Sequence, residues 1–185
     1  SNIDRVGHRR WCLNPSMKQT GFGHSGDYTA MYSFDRGYEG QIPDYNYVPW
    51  PAQTMPVSYF RGPWSISLNP QIYDGKKSKE SVSVTMTSNG KSYTLNKDNK
   101  DPSGKYLNLD TVGYGYGPAV IFQPGVSFKS GDTVSVKVSG LKDRYGNELP
   151  IEYSVKFFPI EVKNLESIKL NTASTSVTLN DSYQL

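Results

Sequence analysis

Between residues 56 and 158 the chain repeats one pattern: a short run in which apolar and polar side chains alternate, then a turn. The runs are 56–60 (PVSYF), Trp64–Leu68 (WSISL), 81–87 (SVSVTMT), Lys91–Leu95 (KSYTL), 133–138 (TVSVKV) and Ile151–Phe158 (IEYSVKFF). A period of two puts every second side chain on the same face of an extended strand, and no helix can bury such a set on one side. The turns between them are Ser88-Asn89-Gly90, Ser130-Gly131-Asp132 and Asp143-Arg144-Tyr145-Gly146-Asn147. Residues 118–123 (PAVIFQ) form a continuous apolar run suited to a central strand. Together they predict about seven to nine short strands closing an antiparallel sandwich around one core. The alternation assigns Val82, Val84, Met86, Val134, Val136, Val138, Trp64, Ile66 and Leu68 to that core.

Composition fits the same reading. Only 36% of the 185 residues are hydrophobic, but 14 are tyrosine, so part of the core is expected to be aromatic. The net charge of +3 is small and scattered. Its one dense run, Lys76-Lys77-Ser78-Lys79, is bounded by Asp74 and Glu80 and reads as a solvated turn, not a nucleic-acid patch. A single cysteine rules out an internal disulfide. No apolar stretch approaches the roughly 18 residues of a membrane span, and no signal-peptide pattern is visible. Because Ser1 stands inside what reads as a folded element, the expectation is a fragment of a longer secreted protein.

The first forty-odd residues differ in kind. Residues 3–13 carry a loose helical stripe of Ile3, Val6, Trp11, Cys12 and Leu13, with Asn2 or Asp4 as the expected N-cap and Pro15 as the stop. Cys12 is expected on the buried side as a small hydrophobe. Arg9 and Arg10 read as surface charges or salt-bridge partners across the helix. Residues 21–23 and 27–34 read as two strands joined by a turn at His24-Ser25-Gly26. A helix and a hairpin of this length cannot bury a core alone, so the segment must pack on something else. His8 is the one residue with recognisable chemistry here. It is either a hydrogen-bonded packing histidine or a metal ligand, and His24 is the only other histidine.

Residues 35–56 are rich in glycine, proline and aromatics, and four prolines fix an extended path. Tyr45, Tyr47 and Trp50 are the candidate ligand-binding residues, as a stacking platform for sugar or peptide; the alternative is that they join two folded parts. Asp98, Asp101, Asp110 and Asp143 lack the spacing of a calcium loop and read as turn formers. The run Gly113-Tyr114-Gly115-Tyr116-Gly117 lacks the Lys-Ser/Thr ending of a phosphate loop and reads as an aromatic loop or an edge bulge.

The block GHRRWCLNPSMKQTGFG at residues 7–23 resembles the Gly-His-Arg, Leu-Asn-Pro and Gly-Phe-Gly succession of bacterial CAP domains, the cysteine-rich secretory, antigen 5 and pathogenesis-related 1 superfamily. That resemblance implies an α-β-α sandwich with a cleft of two histidines and two acids. His8 would be the second cleft histidine, holding a divalent metal such as zinc where the cleft is complete. The other histidine and both acids belong to helices that precede this block in the family. Residues 131–158, with Leu141-Lys142-Asp143 and Gly146-Asn147, resemble bacterial immunoglobulin-like modules, and 165–185 resemble the first strands of a second repeat of that kind.

The expected organisation is therefore mainly β. A truncated α-β CAP segment, helix plus hairpin, occupies 1–46 and packs on an antiparallel immunoglobulin-like β-sandwich at 47–160. An incomplete second bacterial immunoglobulin-like repeat begins at 161–185. The expected function is a non-enzymatic binding or structural module of a bacterial protein, secreted or at the cell surface. Its partner would be a cell-wall or host carbohydrate or protein, with no nucleic acid and no membrane span. The alternatives are a carbohydrate-binding sandwich using Tyr45, Tyr47, Trp50 and the aromatics at 114–116, and a remnant CAP cleft acting as a metal-assisted hydrolase.

Overall fold

A computed structural model describes residues 3–33, 35, 45–115 and 117–160. The linker residues 36–44, Phe34, Tyr116 and the expected second repeat at 161–185 lie outside the described residues. The protein is mainly β. Two stacked sheets form a sandwich, preceded by a short helix α1 (Gly7–Cys12) and a hairpin of β1 (Phe22–Ser25) and β2 (Tyr28–Met31).

The sandwich strands are β3 (Tyr47–Trp50), β4 (Thr54–Pro56), β5 (Trp64–Leu68), β6 (Ser83–Ser88), β7 (Lys91–Leu95), β8 (Lys105–Asp110), β9 (Ala119–Pro124), β10 (Thr133–Ser139) and β11 (Ile151–Phe158). One sheet runs β4-β11-β10-β6-β7 and the other β3-β5-β9-β8. Every pairing within them is antiparallel except β4 with β11, which is parallel, Met55 standing opposite Phe157. The sheets are antiparallel as expected, and this one pair departs from the expectation. A hairpin forces its two strands to run opposite ways, but β4 and β11 lie a whole sandwich apart in sequence, so no hairpin sets their direction. The expected strand at 56–60 ends instead at Pro56. Val57 N–H still reaches Phe158 O at 3.0 Å, and Tyr59 N–H then turns back to Pro56 O.

Two strands went unread in the sequence, β3 and β8. Proline usually argues against a strand, but β3 is a sheet edge, where a missing N–H leaves no ladder bond unmade. In β8, Leu107 and Leu109 face the core while Tyr106, Asn108 and Asp110 face outward.

All nine side chains assigned to the core are buried there. Along β10, Val134, Val136 and Val138 are inside and Thr133, Ser135 and Lys137 outside, as the period of two requires. Trp64, 1% exposed, sits at the centre. Phe60, Phe122, Phe128 and Phe157 surround it with ring centroids 5.5–6.0 Å away, three of them edge-on. The lysine run forms a second short helix, α2 (Gly75–Ser78), with its lysines exposed and Ser78 buried. Asp74 caps it by accepting from Lys77 N–H at 3.1 Å.

Asp101 and Asp143 are turn formers, as read. Asp143 Oδ1 accepts from the backbone N–H groups of Tyr145 and Asn147 at 2.8 and 2.9 Å, and its Oδ2 accepts from Asn147 Nδ2 at 2.9 Å. These donors, the Asn147 side chain foremost, hold the Asp143 carboxyl below its ordinary value.

Trp64→Ala should destabilise the protein by about 3–5 kcal/mol in urea melts, since it empties the centre of the core; a loss under about 1 kcal/mol would remove Trp64 from that place. Because the folded pKa of Asp143 is depressed, its stabilisation is full above the ordinary aspartate value of about 3.9 and is lost as pH falls through the lower folded value. Melting curves of Asp143→Ala and the native protein should therefore differ at neutral pH and converge at the acid end.

Candidate functional site

The sheet β3-β5-β9-β8 is covered on both faces, and this is where the N-terminal segment matters. All five residues of β5 are buried, as are Ala119, Val120, Ile121 and Phe122 of β9. Ile66, Leu68, Val120 and Phe122 face the sandwich core. Ser65, Ser67, Ala119 and Ile121 face outward, and Ala119 and Ile121 pack with Val6, Tyr106 and the half-buried Ile3.

Polar groups on the outward side of β8 fix this segment in register. Asp4 accepts a hydrogen bond from the Tyr106 hydroxyl, and its backbone carbonyl accepts from Asn108 Nδ2 at 2.9 Å. Burial, then Asp4, push the Tyr106 phenol up. Two residues further along β8, Asp110 meets Arg10 at 2.6 Å, with the two side chains 9% and 1% exposed. Arg10 Nη1 also donates to Arg5 O at 3.2 Å, and Nη2 donates to the carbonyls of Val112 and Gly117, both at 2.7 Å. Burial lowers the Arg10 pKa, and Asp110 opposes that shift. Tyr114 lies under two guanidinium groups, Arg5 at 5.7 Å and Arg10 at 5.6 Å from its ring centre.

Three expectations are corrected here. Arg10 is not a surface charge but is buried at the centre of this contact. Asp110 is its partner through Oδ2, while its Oδ1 accepts from Val112 N–H at 3.2 Å, the turn-forming contact expected of it. Cys12 is exposed, its thiol 3.2 Å from Met31 Sδ, because α1 turns its Val6–Arg10 side to the sheet and Cys12 away from it. Asp4 is not the N-cap, since Tyr106 takes its carboxylate. Val6 enters the helix in the left-handed conformation (φ 42°) with no side-chain cap. That costs a β-branched residue energy, which its burial against Tyr106 and Ile121 offsets. The glycine-tyrosine run also gains a reason. Gly115 has φ +66°, and a side chain there would collide with the backbone carbonyl of Arg10.

Arg9 points the other way along the same contact. It donates from Nη1 to Pro63 O at 2.6 Å and Ser65 Oγ at 3.2 Å, and from Nη2 to Arg61 O at 3.3 Å. Its guanidinium lies 5.6 Å from the Trp50 ring centre. No carboxylate pairs with it among the described residues, and burial lowers its pKa to about 10. Beside it is a groove of about 420 Å³ walled by Ile3, Val6, His8, Arg9, Pro63 and Gln123. A second groove of about 610 Å³ shares Gly62 and Gln123 with the first and runs over Phe60, Arg61 and Phe128 at one end of the sandwich.

His8 is exposed on the rim of the smaller groove. Its neighbours there are apolar groups and a cation, which do not fit a metal site. Among the described residues, no group of three or more His, Cys, Asp or Glu side chains is placed to hold a metal ion. Tyr45, Tyr47 and Trp50 are all half-buried. Tyr47 stands opposite Leu68 and its ring meets Tyr153 at 6.2 Å, whereas Trp50 stands opposite Ser65 and meets Arg9. The two therefore lie on opposite faces of their sheet. Tyr45 O accepts from Asn69 Nδ2 at 2.8 Å. From the sequence, Arg9 and Arg10 read as helix charges and Asp110 as a turn former, with no long-range role, and Tyr106 and Asn108 carry no expectation. The alternation Tyr-Leu-Asn-Leu-Asp was the signal that could have found the outward row Tyr106, Asn108 and Asp110.

No helix among the described residues is long and apolar enough to cross a membrane. No family model matches the chain, and no curated protein matches it. Among solved structures, it shows a likeness to the archaellum periplasmic stator protein complex FlaF and FlaG from Sulfolobus acidocaldarius, with 8% identity and a TM-score of 0.36 over 62% of this chain and 94% of that one. A likeness of that degree says nothing about this chain's activity or partners.

Arg10→Ala should cost about 3–5 kcal/mol, because it leaves the Asp110 carboxylate buried and unpaired. Asp110→Ala should cost a similar amount. The double variant should cost clearly less than the sum of the two, and simple additivity in denaturant melts would show that the pair does not act as a unit.

Proposed function

We propose that this chain is a non-enzymatic binding or structural module of a bacterial protein, secreted or displayed at the cell surface. In this reading residues 1–46 are the C-terminal part of a CAP-like domain, 47–160 an immunoglobulin-like sandwich, and 161–185 the start of a second repeat. The observation that carries it is the Arg10–Asp110 contact with its ring of carbonyls. It seats the N-terminal segment rigidly on the outer face of the sandwich. Such a joint suits a part that holds neighbouring modules in fixed relation or presents a fixed surface.

The other two readings have less behind them. A sugar platform needs coplanar, accessible rings, and Tyr47 and Trp50 lie on opposite faces of a strand. A metal-assisted hydrolase needs ligands around His8, and its neighbours are Ile3, Val6, Arg9 and Pro63.

Two measurements test the proposal. Protease treatment of intact producing cells should release peptides from residues 47–160, and their complete protection would overturn the surface assignment. Excess zinc should leave the melting temperature unchanged in the native chain and in His8→Ala. A specific zinc site filled at a hundred times its Kd would add about 2.7 kcal/mol, or roughly 5–10 °C for a chain of this size, so a rise of that order that His8→Ala abolishes would restore the cleft reading.

A further inference from the structure

We infer that the double groove between α1 and the loop end of the sandwich binds an extended peptide segment that combines apolar and acidic side chains. This deepens the binding-module reading and rests on it. Shape is the first support. The two grooves, about 610 and 420 Å³, share Gly62 and Gln123 in their walls and so lie side by side, with room between them for more than one side chain of one segment.

The apolar part of the larger groove favours a peptide over a sugar. It is made by Phe60, Phe128, Val57 and Val126, which carry no polar handle, beside a polar part of Arg61, Ser103, Gln123 and Ser127. Both phenyl rings are held in place, Phe60 edge-on to Trp64 and Phe157, and Phe128 stacked on Phe157 at 5.7 Å. A surface already fixed in position lowers the ordering cost of binding. Carboxylates are the strongest acceptors for a sugar's hydroxyl groups, and none lines either groove among the described residues, where the side-chain acceptors are the neutral oxygens of Ser103, Ser127 and Gln123. The amide N–H groups of Gln123 are already given to the carbonyls of Pro102 and Gly104. Apolar side chains fit such a surface better than a ring of hydroxyls.

Charge supplies the second half of the ligand. The ionisable groups along the two grooves are Arg61 and Arg9, with His8 on the rim. Arg61 is exposed, and Arg9 has carbonyl and hydroxyl acceptors but no carboxylate. A half-buried cation without a counter-charge, beside an exposed one, favours an acidic group laid along the wall.

The probe is a short, dye-labelled synthetic peptide of alternating glutamate and leucine, titrated with the full chain by fluorescence anisotropy. Saturable binding is expected that weakens with added salt, and about tenfold or more with Arg61→Glu and with Val126→Asp. Both residues are exposed, so their variants should melt like the native protein. The same peptide with lysine for glutamate should not bind. Absence of saturation, equal binding of the lysine peptide, or variants that bind as the native chain does would each overturn the inference. So would tighter binding of polygalacturonate, which would mark the groove as a sugar site, or of phosphatidylglycerol vesicles, which would mark a lipid surface. Surface proteolysis of cells reads the module's location separately, so either result can fail without the other.

Discussion

The arrangement depends on one guanidinium. Arg10 sits almost wholly out of water and directs its terminal nitrogens to the Asp110 carboxylate and to three backbone carbonyls. A buried charge is tolerated only when so surrounded, and the donors of a guanidinium spread in a fixed plane. The acceptors come from three places: Arg5 before the helix, Asp110 at the end of β8, and the loop that holds Val112 and Gly117. Their positions are thus fixed relative to one another. Gly115 lets that loop approach the Arg10 backbone, and Tyr114 closes over the cation.

From that fixed point the rest of the contact follows. The Asp4 interactions with Tyr106 and Asn108 set the register along β8, and Val6 fills the space over Ala119 and Ile121. The outer face of β5 and β9 is thereby shielded, and both strands become central in two directions. Arg9, one residue from Arg10, lies toward the other end of the same contact, against Pro63, Ser65 and Trp50. The groove it walls exists only because the segment is seated there. The joint and the proposed binding groove are two consequences of one docking.

Much of the sandwich was legible from the chain because its information is local. Alternation in β5, around β6 and in β10 names nine buried side chains without any partner strand, and those residues are all inside. The Asp143 turn was legible for the same reason: an aspartate, a glycine and an asparagine within five residues close it on themselves. Even the placement of Tyr47 and Trp50 on opposite faces follows from three residues of separation, once β3 is known to be a strand. That knowledge was missing, because prolines mask an edge strand and only the sheet order shows it to be one.

The sequence by itself determined the strand period, most of the turns and the set of side chains that make the core, since each is settled by near neighbours along the chain. Tertiary structure alone decided which face of the second sheet is covered, the parallel pairing of β4 with β11, and the burial of Arg10. Those depend on contacts spanning a hundred residues, as between Arg10 and Asp110, and arginine reads as a surface residue until the carbonyls that receive it are in place. No local pattern announces that a polar row on β8 will meet a helix that begins at residue 7.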